Sequence, residues 1–448
     1  MSKDTFETKR PTERVLLCGV VLPDQVVDDA GPLTEAAGLV VAAGSEVIGG
    51  DPLVHGVVQN RAKPVSATLF GSGKVEEIAA ACKALEPDAV VVDNDLTPAQ
   101  GRNLEKAWCV RVVDRSELIL DIFARRAQTK QARLQVELAQ TEYLMPRLRR
   151  MWTHLERLEG AIGTRGPGET QLETDRRLIK KRILDLKREL SEIERRRRRQ
   201  TRSRSEQFTI GLVGYTNAGK STLLNRLTGA DVLAEDMLFA TLDTRTRRWT
   251  LKDGRTVLLS DTVGFLKRLP HHLVASFHAT LEEAVGVDLL LHVVDSSHPD
   301  ARSQMHAVRD VLKREVHVHC PQLLVLNKAD ALADPVRVPT FDLDGEEDVV
   351  VVSARSGLGL DDLDARVSEQ LDRRCAKVRL TIPNSEGRLI ARVKQAVVVE
   401  EERWETDRVE LVARVPDREL GNIEREAAGK IRVEVLEQAL EPYARLDD

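Results

Sequence analysis

The chain has 448 residues, an apolar content of 42%, few aromatic residues at 3% and a net charge of −5. Its length predicts roughly three domains, and no apolar run reaches the about 20 residues that a membrane-spanning helix requires. The charged N-terminus lacks the apolar segment of a secretory signal, and the five scattered cysteines show no paired spacing, so a cytoplasmic protein with reduced thiols is expected.

The first part of the chain is predicted to be a disordered tail over residues 1–13 and a small α/β domain over residues 14–123. Apolar runs and helical patterns alternate, as in a parallel sheet with crossover helices. The Gly-Ser-Gly-Lys turn at residues 71–74 could bind a phosphate, but it lacks half of a nucleotide-binding loop, so a helix-capping turn is favoured. The predicted strands and helices are Val15–Val21, Leu33–Ala43, Val75–Leu85 and Ala89–Asp93.

Residues 124–206 are predicted to form an antiparallel helical hairpin. Apolar residues recur at spacings of three, four or seven within Leu134–Leu155 and Ile179–Ile193, as in the seam of a coiled coil. Pro146 is expected to kink the first of these helices. The glycine-rich segment Gly160–Glu169 between them predicts a flexible tip.

The hairpin is basic within an acidic chain. Residues 121–206 hold 23 of the 67 Lys and Arg residues and 13 of the 72 Asp and Glu residues, a local net charge of +10 against −15 for the remainder. A solvated helix face remains an open interpretation, but this segregation favours binding to a polyanion. Aromatic residues are scarce in the hairpin, which favours contact with the backbone of structured RNA over base stacking.

A nucleotide-binding loop follows the hairpin. Residues 214–222 read GYTNAGKST and match G-x-x-x-x-G-K-[ST], between a predicted strand at Phe208–Val213 and a predicted helix. The glycines let backbone N–H groups surround phosphate oxygens at a helix N-terminus. Lys220 is predicted to reach the β- and γ-phosphates, and the Ser221 hydroxyl is predicted to coordinate Mg²⁺.

Four further motifs occur in the order of a GTPase. FATLD at residues 239–243 is predicted to be switch I, with Thr241 as the second Mg²⁺ ligand, and DTVG at residues 261–264 follows a strand. Asp261 is predicted to hold Mg²⁺ through water, and the Gly264 amide to contact the γ-phosphate. NKAD at residues 327–330 indicates guanine, because its aspartate can accept from two donors that adenine does not present together.

The fifth motif, SAR at residues 353–355, is predicted to contact guanine O6. Residues 207–374 are therefore predicted to be a GTPase domain with a parallel sheet. The predicted GTP-binding residues are Gly214, Tyr215, Thr216, Asn217, Ala218, Gly219, Lys220, Ser221, Thr222, Phe239, Ala240, Thr241, Leu242, Asp243, Asp261, Thr262, Val263, Gly264, Asn327, Lys328, Asp330, Ser353, Ala354 and Arg355.

Two residues bear on the chemistry. Phe265 stands where Ras-type GTPases have a water-orienting glutamine, so no side chain is assigned as catalytic and slow intrinsic hydrolysis, accelerated by a partner, is predicted. Asn217 resembles the loop asparagine of GTPases that use a bound K⁺ in place of an arginine finger. A purely structural asparagine is an equally open interpretation.

The remaining residues, 375–448, are predicted to form a small α+β domain without catalytic residues. The predicted strands are Lys377–Ile382, Val393–Glu400, Arg408–Val415 and Ile431–Leu436, with helices around Gly387–Val393 and Arg418–Ala428.

The chain resembles the HflX family of translation-associated GTPases over roughly residues 14–440. The resemblance rests on GPGETQLETDRR at 166–177, LQVELAQTEYLMPRL at 134–148, FATLD and NKAD. It implies a cytoplasmic protein that binds the large ribosomal subunit in its GTP form and splits stalled or idle ribosomes during stress, its hairpin tip entering the peptidyl transferase region. It also links the N-terminal domain to ATP. The implied rRNA-binding residues are Arg165, Gly166, Gly168, Arg176 and Arg177.

Two other functions stay open. One is a GTPase-regulated RNA-remodelling factor that does not split ribosomes, and the other is a signalling G protein whose hairpin docks protein partners. A monomer is expected in each case. Because the short Arg-rich segment Arg195–Arg204 joins the hairpin to the first strand of the GTPase domain, nucleotide-ordered switch loops could set the position of the hairpin.

Overall fold

The computed structural model of the protein describes most of the chain. The described residues are 12–23, 31–49, 56–148, 167–202, 207–229, 238–239, 245–262, 264–267, 287–313, 320–332, 348–373, 375–427 and 429–438, some of them inside helices and strands by their backbone only. These residues form three β-sheets. Most of the predicted N-terminal tail, the tip of the hairpin and most of FATLD lie outside them.

The N-terminal sheet is parallel, as predicted. β1 pairs with β2, β3 and β4, and β4 pairs with β5, all in the same direction. Helices cover both faces, which explains why β1 and β4 are almost uniformly apolar. The elements are β1 (Arg14–Val21), α1 (Thr34–Ala42), β2 (Glu46–Val47), β3 (Val57–Asn60), α2 (Ser72–Leu85), β4 (Ala89–Val92), α3 (Pro98–Trp108), β5 (Arg111–Asp114) and α4 (Arg115–Arg126).

The glycine-lysine turn is the start of α2. Gly71 is the N-cap residue, and Ser72 and Lys74 already belong to the first helical turn. The Gly71 N–H donates a hydrogen bond to the Gln59 side chain at 2.9 Å, and Lys74 pairs with Glu77 at 2.7 Å. The Gly71 N–H and the Lys74 ammonium group are therefore engaged within the domain, in line with the helix-capping interpretation.

The hairpin consists of α5 (Lys130–Leu144) and α6 (Pro167–Arg202). Their seam is the predicted one: Leu134, Leu138, Leu186 and Leu190 form a small buried cluster. Ion pairs at its edge join Arg182 to Glu137 at 2.7 Å and Lys187 to Glu142 at 2.9 Å.

Two predictions about the hairpin were wrong in part. The first helix is not kinked at Pro146 but ends at Leu144, and a 3₁₀ turn covers Met145–Arg147. Proline lacks the N–H of the helical bond and clashes with the preceding turn, so the α-helix stops there. The second helix begins at Pro167, inside the segment that was predicted to be the tip, and the first helical turn accommodates proline well.

The GTPase sheet has the order β11-β10-β9-β6-β8-β7 and is parallel except for β7. The carboxyl ends of its parallel strands lie at one edge, and the loop at 214–222, DTVG and NKAD all follow such ends. The elements are β6 (Thr209–Gly214), α7 (Lys220–Thr228), β7 (Arg245–Thr250), β8 (Thr256–Asp261), β9 (Leu289–Asp295), α8 (Ala301–Val311), β10 (Gln322–Asn327), β11 (Asp348–Val351) and α9 (Leu360–Asp372).

The C-terminal sheet is antiparallel, with the order β13-β14-β12-β15. Its chain order, βαββαβ, is the split arrangement of ferredoxin-like domains. The predicted strand at Val393–Glu400 was wrong in its first half, because Val393 shares the buried helical face of Ile390 three residues earlier. The elements are β12 (Cys375–Pro383), α10 (Gly387–Ala396), β13 (Val398–Trp404), β14 (Arg408–Pro416), α11 (Asp417–Ala427) and β15 (Arg432–Glu437).

One apolar core crosses the predicted domain boundaries. It contains residues of α1 and α4 from the N-terminal part, residues of α5 from the hairpin, and Tyr215, Phe265 and Leu266 from the GTPase domain. Phe123 of α4 packs edge-to-face on Phe239, with ring centroids 4.7 Å apart. We call this cluster the shared core. Within the part of the chain that the structure describes, no helix is long and apolar enough to cross a bilayer.

The seam of the hairpin predicts unequal effects for two neighbouring leucines. Leu186 is fully buried, whereas Leu184 is 68% exposed. Leu186→Ala is expected to lower the free energy of unfolding by about 2–5 kcal/mol, because it leaves a cavity between α5 and α6. Leu184→Ala, the matched control, is expected to stay within about 0.5 kcal/mol of the unmodified protein. Urea denaturation followed by far-UV circular dichroism measures both, and equal losses would contradict the observed seam.

Candidate nucleotide-binding site

The glycine-rich loop lies between the end of β6 and the first residue of α7. Gly219 has a φ of +90°, and a Cβ atom there would lie 2.3 Å from the Asn327 side-chain nitrogen. A Cβ atom on Gly214 would lie 2.2 Å from the carbonyl oxygen of Val293 on β9. Both positions therefore require glycine, and the loop keeps the close backbone approach that lets N–H groups surround a phosphate.

Lys220 lies beneath this loop and is buried. Its ammonium group donates hydrogen bonds to the carbonyl oxygens of Gly214 at 3.1 Å and Tyr215 at 2.8 Å. Burial lowers the pKa of Lys220 to about 8, and the nearby Asp261 carboxylate acts in the opposite direction. Phosphate oxygens, which carry more charge than carbonyl oxygens, are stronger partners for this ammonium group.

Ser221 and Asp261 lie together where Mg²⁺ is predicted. The Ser221 hydroxyl donates a hydrogen bond to Oδ2 of Asp261 at 2.7 Å, and Asp261 is fully buried at the end of β8. Hydroxyl and carboxylate oxygens are the hard ligands that Mg²⁺ prefers, and the ion takes its other ligands from water and phosphate. The residues present therefore fit a Mg²⁺ site. Thr241, the other predicted ligand, lies outside the described residues.

The NKAD motif is tied to the glycine-rich loop and to residues 353–355. The Asn327 side chain donates to the carbonyl oxygen of Ala218 at 2.9 Å and accepts from the Ala354 N–H at 3.0 Å. The Ser353 hydroxyl donates to Oδ1 of Asp330 at 2.6 Å. Asn327 thus connects its own loop to the glycine-rich loop and to the loop at residues 353–355. The Asp330 carboxylate is exposed, and the Ser353 hydroxyl fixes its orientation.

Lys328 has a backbone φ of +62° and its ammonium group pairs with Asp295 at 2.8 Å. The Thr262 hydroxyl donates a hydrogen bond to the carbonyl oxygen of Leu212 on β6 at 2.7 Å. Arg355 is exposed, and Thr222 belongs to the first turn of α7.

Residues 264–267, which we call the switch II segment, lie on the glycine-rich loop. The Thr216 N–H donates to the carbonyl oxygen of Phe265 at 2.9 Å, and the Phe265 N–H donates to the carbonyl oxygen of Gly214 at 3.2 Å. A Cβ atom on Gly264 would lie 2.7 Å from the Thr216 methyl carbon and 3.2 Å from the Lys220 ammonium nitrogen. Only glycine allows this approach, which brings the Gly264 backbone close to Thr216 and to the ammonium group of Lys220.

Two predicted GTP-binding residues, Phe239 and Tyr215, place their side chains in the shared core, and so does Phe265, which stands where Ras-type GTPases have glutamine. Phe239 and Phe265 are both 2% exposed and belong to the shared core. The Tyr215 hydroxyl is hydrogen-bonded to Glu35 of α1, and this residue too is buried in the shared core. Asn217 is exposed, with a φ of +61°. Ala240, Leu242, Asp243 and Val263 lie outside the described residues.

Of the residues assigned to RNA binding, Arg176 and Arg177 are exposed on α6. Gly168 lies in the first turn of this helix. Arg165 and Gly166 fall in the segment that the structure leaves undescribed.

Three family models match the chain: "GTP-binding GTPase N-terminal" at residues 31–124, "GTP-binding GTPase Middle Region" at 126–204 and "50S ribosome-binding GTPase" at 209–328. The GTPase HflX of Escherichia coli (strain K12) is 46% identical over 394 residues, which cover 87% of this chain and 90% of that protein. The GTPase HflX of Magnetococcus marinus is 46% identical over 430 residues, which cover 94% and 98%. The chain belongs to the HflX family.

This membership makes the protein a GTPase, as the five motifs predicted. Among solved structures, the chain is similar to a GTP-binding protein from the archaeon Sulfolobus solfataricus in complex with GDP. The identity is 24%, the match covers 80% of this chain and 98% of that chain, and the TM-score is 0.41.

The motifs did not indicate that N-terminal residues contact the nucleotide-binding loop. Glu35 contacts Tyr215 across 180 residues of sequence and also accepts a hydrogen bond from Arg115 at 2.8 Å. A single sequence holds no local signal for such a contact, because it depends on how the N-terminal sheet packs on the GTPase domain.

The position of Asp330 predicts a change of base specificity. In Asp330→Asn an amide NH₂ group replaces one acceptor oxygen, so one of the two guanine donors faces another donor and GTP affinity is expected to fall at least about 100-fold. Xanthine presents a carbonyl group in place of the 2-amino group, so affinity for XTP should rise. Isothermal titration calorimetry measures both. Asp361→Asn, at a side chain that is 84% exposed on α9, is the control, and an unchanged GTP affinity in Asp330→Asn would contradict the assignment.

Proposed function

We propose that this HflX-family GTPase binds the large ribosomal subunit in its GTP form and splits stalled or idle ribosomes in the cytoplasm, acting as a monomer. The observation that carries the proposal is the exposed basic surface of α6, with Arg176 and Arg177 near its start, on the same chain as a GTP switch. The family description of residues 209–328, "50S ribosome-binding GTPase", supports the same partner.

The nucleotide site would act as the switch. Lys220 and the glycine-rich loop bind the phosphates, Asp330 selects guanine, and Ser221, Asp261 and Thr241 hold Mg²⁺. When bound, Mg²⁺ neutralises charge on the β- and γ-phosphates. Because Phe265 is buried, it cannot orient a water molecule, so intrinsic hydrolysis is expected to be slow and the ribosome is expected to accelerate it.

The hairpin would be the RNA-binding element. Its second helix extends for 36 residues, about 54 Å at the rise of an α-helix. Arg165 and Gly166 precede it and Gly168, Arg176 and Arg177 lie near its start, so a tip that contacts rRNA would lie far from the nucleotide.

Sedimentation through a sucrose gradient tests this function. With 70S ribosomes and a non-hydrolysable GTP analogue, the protein is expected to move with the 50S subunit while the 70S peak decreases. If free RNA stimulates hydrolysis as strongly as ribosomes and the 70S peak persists, the protein is an RNA-remodelling factor instead. A hairpin interaction that is insensitive to salt would favour protein partners, because phosphate contacts weaken steeply with salt.

The exposed arginines of α6 supply a sharper test. The double substitution Arg176→Ala and Arg177→Ala is expected to weaken 50S binding about 10- to 100-fold and to flatten its salt dependence, because phosphate contacts are lost. Arg366→Ala with Arg373→Ala is the matched control, at two half-exposed arginines, one in α9 and one directly after it. Equal affinities of both double variants in a salt series would count against hairpin binding.

Asn217 leads to a prediction about K⁺ as a second cofactor. We propose that its exposed side chain in the glycine-rich loop helps to bind K⁺ beside the phosphates, so GTP hydrolysis should be faster in K⁺ than in Na⁺. Asn217→Gly suits the observed φ of +61° and should abolish this difference without straining the loop. Single-turnover rates in the two salts at equal ionic strength measure it, and equal rates in the unmodified protein would refute K⁺ dependence.

A further inference from the structure

We infer that Glu35, in the N-terminal domain, is a positioning residue for GTP hydrolysis. It holds the glycine-rich loop and the switch II segment to each other from outside the GTPase domain. The role concerns the intrinsic reaction of this chain and does not depend on the proposed ribosomal partner.

Glu35 contacts both nucleotide-binding elements at once. Its Oε1 atom is hydrogen-bonded to the Tyr215 hydroxyl in the glycine-rich loop. The backbone N–H of Lys267, in the switch II segment, donates to the Tyr215 hydroxyl oxygen at 3.1 Å and to Oε1 of Glu35 at 3.4 Å. One carboxylate oxygen therefore joins α1 to two loops whose relative position the reaction requires.

The other side of Glu35 is fixed by a buried ion pair. Its Oε2 atom accepts a hydrogen bond from Arg115 at 2.8 Å, and Arg115 also donates to Asp93 at 2.5 Å. Arg115 and Asp93 are 2% and 3% exposed, at the carboxyl ends of β5 and β4. A guanidinium group between two carboxylates in a buried site holds its partners in one geometry.

The protonation of Tyr215 agrees with this arrangement. Burial, with the Glu35 carboxylate beside it, raises the pKa of Tyr215 far above its ordinary value. The hydroxyl therefore stays protonated and donates to Glu35, which leaves its oxygen to accept the Lys267 N–H.

The consequence for the reaction lies at Gly264. The switch II segment is attached to the glycine-rich loop by the Thr216–Phe265 and Phe265–Gly214 backbone bonds and, beyond them, by the Lys267 bonds that depend on Glu35. Since Phe265 cannot orient water, hydrolysis depends more on backbone groups such as the Gly264 amide. Groups that act on developing charge are effective only when they are held in place beforehand, and Glu35 supplies part of that restraint.

Glu35→Gln in the full-length protein tests the role. A glutamine side chain has one acceptor atom and one donor group, so it cannot accept from Arg115 and from the Tyr215 hydroxyl together. The single-turnover rate of GTP hydrolysis without ribosomes is expected to fall about tenfold, within the usual range for coupling between two sites. GTP affinity should stay within about twofold, because the phosphate and base contacts are retained.

The control is Glu77→Gln, at a half-exposed side chain on α2 that pairs with Lys74. It lies on a helix that packs on the opposite face of the N-terminal sheet, and it should leave the rate unchanged.

Tyr215→Phe removes the same link from the other side and keeps the ring in the shared core. If Glu35 acts through Tyr215, the double variant should hydrolyse GTP at the rate of the slower single variant, whereas independent effects would multiply. The inference is overturned if the rate losses of the two single variants multiply in the double variant, or if Glu35→Gln hydrolyses GTP faster than the unmodified protein. It is also overturned if Glu35→Gln is slow only at temperatures at which the variant unfolds. Should Glu35→Gln fail to fold, an unchanged rate in Tyr215→Phe overturns it alone.

Discussion

Phe265 is buried in the shared core, and this position constrains the rest of the protein. A residue that follows DTVG and packs between the N-terminal sheet and the glycine-rich loop cannot reach a water molecule at the phosphate. The same packing attaches the switch II segment to a second domain. At the position after DTVG there is therefore no water-orienting side chain of the Ras type, and the N-terminal domain restrains the switch II segment.

The N-terminal domain contacts the GTPase domain at the edge of its sheet where the carboxyl ends of the parallel strands lie. In open α/β sheets, ligands bind outside the carboxyl ends of the strands. At this edge of the N-terminal sheet, Arg115 contacts Glu35, and Glu35 contacts Tyr215 of the GTPase domain. Arg147, after α5, donates to Asp114 at 2.9 Å at the same edge. The hairpin and the nucleotide-binding loop are thus both attached to one edge of the N-terminal sheet.

The parts of the structure that sequence could predict are those with local causes. The glycine-rich loop, NKAD and the parallel strands follow from residues adjacent in the chain, and the seam of Leu134 and Leu186 follows from spacing. Tyr215 and Phe239 were assigned to the nucleotide because of their place in motifs, yet both side chains pack on the N-terminal domain. The Glu35 contact lies 180 residues from its partner, and helix α10 continues from Val393 to Ala396, which the sequence assigned to a strand together with the valines that follow. Packing between domains decides the positions of Tyr215, Phe239 and Glu35, and packing inside the C-terminal domain decides helix α10.

The C-terminal domain and the hairpin differ as surfaces for the proposed contact with RNA. Its βαββαβ order is shared with RNA-recognition modules that stack bases on aromatic residues of the sheet, but the central strands β12 and β14 contain no aromatic residue. Basic residues on these strands are paired with acidic ones: Lys377 and Arg414 with Glu400, both at 2.7 Å, and Arg379 with Glu434 at 2.8 Å. Such a surface offers neither stacking nor net positive charge. The exposed arginines of α6 offer the charge, so among the described residues the hairpin is the better surface for contact with RNA.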